Sequence, residues 1–178
     1  SIFITELFNK TKAPKGLLNL VNGDKKTVET LISDKRIKAV SFVGSTPVAK
    51  KVYELSSISG KRCQALGGAK NHALILSDAN IDYTTDQLIS AAFGSSGQRC
   101  MALSVAVVSV EIKNEFLKIL KEKVLKLKFG SEDLNSNSFG PLVTIELLKS
   151  VENNIKIAEE EGAEIIVDGR CLFDRKNS

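Results

Sequence analysis

The sequence predicts an α/β fold with a mainly parallel sheet. Short apolar runs alternate with stretches of helical spacing, and capping residues stand directly after several of the runs. Gly, Pro and Asn punctuate the junctions, as strand–helix–strand units require.

Residues 2–12 have helical spacing and stop before Pro14 and Gly16. Leu17 to Val21 is a short apolar run ending at Asn22-Gly23, and it reads as a strand. Asp24 is placed to cap a helix with Val28, Leu31 and Ile32 on one face. Ile37 to Val43 is a second strand. Gly44-Ser45-Thr46-Pro47 then opens a helix carrying Val48, Val52 and Leu55, with Pro47 at the first helical position. It ends near Gly60.

Cys63 to Leu66 and His72 to Leu76 read as strands flanking Gly67-Gly68. Asp78 or Asp82 begins a helix through Leu88, Ile89 and Ala92. Leu103 to Val110 is rich in β-branched valine and predicts a buried strand. A lysine-rich helix follows, then a polar loop over 129–143 rich in Gly, Ser and Asn. Ile145 to Glu161 predicts a helix stopped by Gly162, and Ala163 to Val167 a strand. Residues 168–178 carry no periodic signal.

The 178 residues suffice for one core, or for one domain and part of another. Hydrophobic content of 43% and charge content of 26% match a globular protein. No apolar run has membrane-spanning length, and no signal peptide is recognised. The chain opens on Ser1 rather than Met and is read as an internal fragment or a processed product. Three widely spaced cysteines, Cys63, Cys100 and Cys171, argue for a reducing compartment rather than a disulfide framework. With one histidine, no zinc-ligand spacing arises, so no metal is expected. Net charge is +4, densest from Lys113 to Lys128. Glu111, Glu115 and Glu122 dilute that stretch, so it reads as the solvated face of an amphipathic helix. Neither a nucleic-acid nor a membrane partner is expected.

The most chemically suggestive run is Gly97-Gln98-Arg99-Cys100-Met101. A thiol with a pKa of about 8.5 is mostly protonated at neutral pH, and a neighbouring cation favours the nucleophilic thiolate. Small residues upstream, Ser90 to Ser96, leave room for a substrate to approach. From the run alone, an activated nucleophile and a buried structural cysteine are both open. Cys63 and Cys171 also follow arginines, and no chemistry is assigned to them. Likewise the start of the helix after Val43 reads as an anion site with Ser45 as a hydroxyl donor, or as simple capping by Ser45 or Thr46. No GxGxxG or P-loop is present.

Three segments together resemble the aldehyde dehydrogenase superfamily in order and spacing. They are Phe42 to Thr46, Gln64 to His72 and Gly97 to Ala102. Within it they are most similar to the CoA-acylating methylmalonate-semialdehyde dehydrogenase branch. Gly140-Pro141-Leu142 and Glu161-Gly162-Ala163 also stand where the family has them, so the resemblance covers roughly residues 1–170 and fades over Cys171 to Ser178. It implies a parallel-sheet three-layer α/β fold that is incomplete here. Residues 1–66 would be the C-terminal part of an NAD-binding domain, and 67–178 the N-terminal part of the catalytic domain.

The resemblance implies NAD as cofactor and coenzyme A as co-substrate. The substrate would be malonate or methylmalonate semialdehyde, oxidised with loss of CO₂ through a cysteine thioester, as in valine catabolism. Cys100 matches the nucleophile, with its backbone N–H in the oxyanion hole. Arg99 matches the arginine that binds the substrate carboxylate, which suits a planar guanidinium. Gly44 and Ser45 match the pyrophosphate-binding turn, and Gly67 matches the backbone position beside the nicotinamide. Ala65 stands where hydrolytic relatives carry a water-activating Glu, which favours CoA over water as acyl acceptor; Glu54 or a residue outside this chain could supply a base instead. His72 is expected to be structural and Lys70 solvated.

Further parts of the family site lie before Ser1 or after Ser178, so the chain alone is expected to have little dehydrogenase activity. The full enzyme would form a homo-oligomer, in the cytoplasm of a bacterium or the mitochondrial matrix of a eukaryote. The alternatives are a hydrolytic aldehyde dehydrogenase and an inactive truncated remnant.

Overall fold

A computed structural model describes residues 1–128, 130 and 139–170. The chain divides into two compact units, Ser1–Gly68 and Ala69–Ser178.

The first unit begins with α1 (Ile2–Asn9) and α2 (Lys25–Ser33). Asp24 caps α2 as expected, its carboxylate accepting from Lys26 N at 3.0 Å. Strand β1 (Ala39–Val43) leads into α3 (Thr46–Ile58), and β2 (Arg62–Leu66) returns parallel to β1. The register places Val40 opposite Cys63 and Phe42 opposite Ala65. Ile32, Ala49 and Val52 are buried, whereas Val28, Leu31 and Val48 of the expected apolar faces are exposed. The Lys61 ammonium donates to the carbonyls of Asp34 and Ile37, at 2.5 and 2.6 Å, and ties the loop before β1 to the loop before β2.

Leu17 to Val21 is not a strand. No described residue pairs with it, and a strand without a partner leaves its backbone groups unsatisfied. Pro47 sits one position later than expected: Ser45 is the cap residue, Thr46 opens the helix and Pro47 follows.

In the second unit, β3 (Asn71–Ile75) pairs parallel with β4 (Leu103–Val108). Between them run α4 (Ile81–Phe93) and a short 3₁₀ turn over Gly94–Gly97. Asn80, rather than Asp78 or Asp82, caps α4, accepting from Tyr83 N at 3.0 Å. α5 (Lys113–Val124) and α6 (Ile145–Glu160) complete the unit. Its core joins Ile75, Leu88 and Phe116, one residue from each of β3, α4 and α5. Lys123 fastens α5 to α4 by ion pairs of 2.7 Å to both Asp82 and Asp86. Burial pulls the Lys123 ammonium down, and the hydrogen bonds to the two carboxylates outweigh it, so its pKa is raised.

Two strand expectations fail here for one physical reason. β4 was expected to be buried, yet Val107 is half exposed, because the sheet has only two described strands. Ala163 to Val167 forms no ladder with any described residue. Both sheets leave apolar strand residues open, with Val43 66% and Leu74 70% exposed. The loop expected over 129–143 lies partly outside the described residues, and Cys171 lies wholly outside them. No helix among the described residues is long and apolar enough to cross a membrane.

Candidate active site

The expected site residues fall into two groups, one in each unit. Gly44, Ser45 and Gly67 surround the N-terminus of α3 in the first unit. The Gly44 N–H donates to Leu66 O at 3.1 Å, extending the β1–β2 ladder to the helix start. Ser45 is extended, with φ −65° and ψ 147°, and its side chain makes no capping hydrogen bond. Capping by the Ser45 hydroxyl is therefore not what the structure uses. Nor does Thr46 cap, since its Oγ1 accepts from Gly68 N at 3.0 Å instead.

The first N–H groups of a helix have no intrahelical acceptor and, with the helix dipole, favour an anion. Here the first intrahelical donor is Ala49 N, to Ser45 O at 2.9 Å. The N–H groups of Thr46 and Val48 precede it, and Pro47 between them supplies none. Gly67 lies against this corner. A Cβ built on it would stand 2.9 Å from Thr46 Oγ1 and 3.2 Å from Thr46 Cα. Only glycine keeps the β2 exit this close to the α3 start.

Arg99 and Cys100 sit in the second unit on the segment between α4 and β4. Ser95 and Ser96 both take left-handed conformations, with φ 56° and 55°, and Gly97 follows at 69°. Such values are uncommon outside glycine and mark a constrained segment. The Ala102 N–H donates to Arg99 O at 3.0 Å, closing a tight turn with Cys100 and Met101 at its centre. Cys100 is exposed there. The Arg99 guanidinium lies against Gly94, whose Cβ, if present, would be 2.8 Å from Arg99 Nη1.

Neighbouring chain holds the segment from two sides. Ser96 Oγ donates to Gly140 O, and the Val143 N–H donates to Gln98 Oε1 at 3.1 Å. From the other side the Asn71 carboxamide donates to Cys100 O and Ala102 O, both at 2.9 Å. Asn71, Gln98 and Ser96 had no expected role. The sequence signal was a polar side chain at each of these positions, but its partners lie 29 to 45 residues away.

The remaining residues of interest are placed as follows. Ala65 is on β2 opposite Phe42. Glu54 is on the α3 surface, ion-paired with Lys51 at 3.7 Å. His72 Nδ1 is 2.8 Å from Lys70 O, so that nitrogen carries the proton and donates. Cys63 is half-buried within β2.

The sequence model described as "Aldehyde dehydrogenase family" matches residues 1–178. A malonate-semialdehyde dehydrogenase of Bacillus cytotoxicus is 47% identical over 169 residues, which are 95% of this chain and 35% of that protein. Among solved structures, a methylmalonate-semialdehyde dehydrogenase of Oceanimonas doudoroffii aligns with TM-score 0.91 at 49% identity. It covers 96% of this chain and 35% of its own. A Sinorhizobium meliloti protein assigned as a methylmalonate-semialdehyde dehydrogenase, and complexed with NAD, aligns with TM-score 0.93 at 41% identity. It covers 98% of this chain and 36% of its own. The chain thus spans about 35% of the length of the relatives it matches.

Proposed function

The chain belongs to the aldehyde dehydrogenase family, and from that premise we propose that it acts as part of a longer NAD-dependent, CoA-acylating (methyl)malonate-semialdehyde dehydrogenase. The carrying observation is the exposed Cys100 at the centre of a closed turn, with Arg99 beside it. On this reading residues 1–66 end the NAD-binding domain, residues 67–178 begin the catalytic domain, and the longer protein is a homo-oligomer.

NAD, when bound, supplies a hydride acceptor. The residues around α3 fit its pyrophosphate. The Ser45 hydroxyl is not used for capping, Gly44 keeps the turn tight, and the Thr46 and Val48 N–H groups complete the donors. Gly67 keeps the neighbouring backbone free of a side chain that would strike Thr46.

Cys100 as thiolate attacks the aldehyde carbon. A sulfur–carbon bond forms, and the carbonyl electron pair moves to oxygen, where the Cys100 backbone N–H meets it. Loss of hydride from that carbon leaves a thioester on Sγ. The Arg99 guanidinium pairs with the substrate carboxylate, which later leaves as CO₂ while a proton takes its place on carbon. Ala65 offers no proton acceptor, and Glu54 is engaged with Lys51. General-base help is worth about 10²–10⁴-fold, so hydrolysis is slow unless a residue beyond this segment supplies it. The CoA thiol then takes the acyl group, and the Cys100 thiolate is released.

Product analysis on the full-length protein carrying this segment tests the reading. With CoA present, acyl-CoA is the expected product, and free acid forms slowly without it. Free acid forming as fast without CoA as with it would overturn the CoA-acylating assignment. Cys100→Ser is expected to abolish acyl transfer.

A further inference from the structure

We propose that Asn71 is a positioning residue that locks the Cys100 turn in one peptide orientation; this rests on the reading of Cys100 as the reacting thiol. The turn runs from Arg99 to Ala102, closed by the 3.0 Å bond from Ala102 N to Arg99 O. Its central peptide joins Cys100 to Met101. That peptide is the one that flips when a type I turn becomes type II, swinging the first central ψ by about 150° and requiring positive φ at the second central residue. Met101 is not among the described residues with positive φ. The carbonyl of the flipping peptide is Cys100 O, and Asn71 Nδ2 holds it at 2.9 Å. The second N–H of the same amide holds Ala102 O at 2.9 Å, so the amide straddles the turn.

A bulge aims Asn71 there. Asn71 stands opposite Leu103, but His72 stands opposite Val105, so Ser104 is an extra residue in the ladder. Bulges re-aim side chains and cluster beside active sites. The Ser104 hydroxyl donates to Asn71 O at 3.4 Å and steadies the bulge. Asn71 thereby fixes the backbone that displays both the Cys100 thiol and the Cys100 N–H. The role needs two donors, so an isosteric carboxylate, which only accepts, defeats it.

Hydrogen exchange and thiol alkylation of the 178-residue chain test this. In Asn71→Asp and Asn71→Ala, the Ala102 amide, whose bond to Arg99 O closes the turn, is expected to exchange about tenfold faster, the scale of losing a hydrogen bond. Amides of α4 and α5 keep their rates. In both variants Cys100 alkylates at a changed rate at fixed pH, while Cys63 keeps its rate. Unchanged turn exchange in Asn71→Asp, or acceleration spread evenly over both helices, overturns the proposal. If neither variant folds, the unaltered chain decides: slow solvent exchange of both Asn71 side-chain protons supports the lock, and free-amide rates refute it. Cys100 alkylating no faster than Cys63 in the unaltered chain counts against the thiol reading, and the exchange data still report on Asn71.

Discussion

Replacing Gly67 with alanine puts a methyl carbon 2.9 Å from Thr46 Oγ1, 3.2 Å from Thr46 Cα and 3.3 Å from Thr46 Cβ. Two of those atoms belong to a short side chain and one to backbone, so the helix start itself must move. Overpacking of this kind costs about 1–3 kcal/mol. The Thr46 hydroxyl also loses its place beneath Gly68 N, a bond worth about 1 kcal/mol. Gly67 does not have a left-handed φ, so alanine recovers about 0.4–1 kcal/mol of unfolded-state entropy. The net expectation is a loss of about 2 kcal/mol. Gly68→Ala is the control. Its Cβ would stand 3.5 Å from Thr46 Oγ1, an ordinary contact, and the backbone again suits alanine. That variant should be neutral or slightly stabilised. Urea titration read by hydrogen exchange of the β1–β2 ladder measures both in the first unit alone. A Gly67→Ala chain as stable as Gly68→Ala would refute the close-packing argument.

Other substitutions separate capping from ligand binding. Ser45→Ala should leave stability within about 0.5 kcal/mol, because its hydroxyl caps nothing, while Asp24→Ala should lose about 1 kcal/mol. Thermal unfolding checks that pair, and NAD titration of the longer protein should show weakened binding for Ser45→Ala. Ser56 is fully buried with a hydroxyl that meets no partner among the described residues, so Ser56→Ala should gain about 1 kcal/mol in the same melts. Asp168 accepts from the side chain and the backbone N–H of Arg170, which holds its carboxyl down at about 2. A lowered folded pKa means the pair stabilises above the unfolded value of about 3.9 and is lost as pH falls toward 2. The protection factor of the Arg170 amide should therefore fall between about pH 4 and pH 2, and an unchanged protection factor there would refute the pairing.

Most helices and the four strands among the described residues were legible because their signals are local. Asp24 and Gly162 mark helix ends by chemistry that acts within a few residues. Leu17–Val21 and Ala163–Val167 misled because an apolar run announces strand propensity without supplying a partner. β4 misled in a related way, since its apolar content speaks of neighbours the two-stranded sheet does not contain. At the candidate site, Cys100, Arg99, Ser45 and Gly67 could be picked out by residue type and motif order. Asn71 could not. Its importance is created by a one-residue bulge and by contacts 29 and 31 residues along the chain. The left-handed Ser95-Ser96 pair was equally hidden, because serine carries no preference for that conformation.

The open sides of the two sheets bear on how this polypeptide must be handled. Each ribbon has unpaired edges among the described residues, flanked by bare Val43 or Leu74. Unprotected edges of that kind recruit any extended strand that reaches them. At high concentration copies of the chain are expected to pair edge to edge, which light scattering checks. Kept dilute, the same edges are the places where a matching segment supplied as a separate polypeptide would pair.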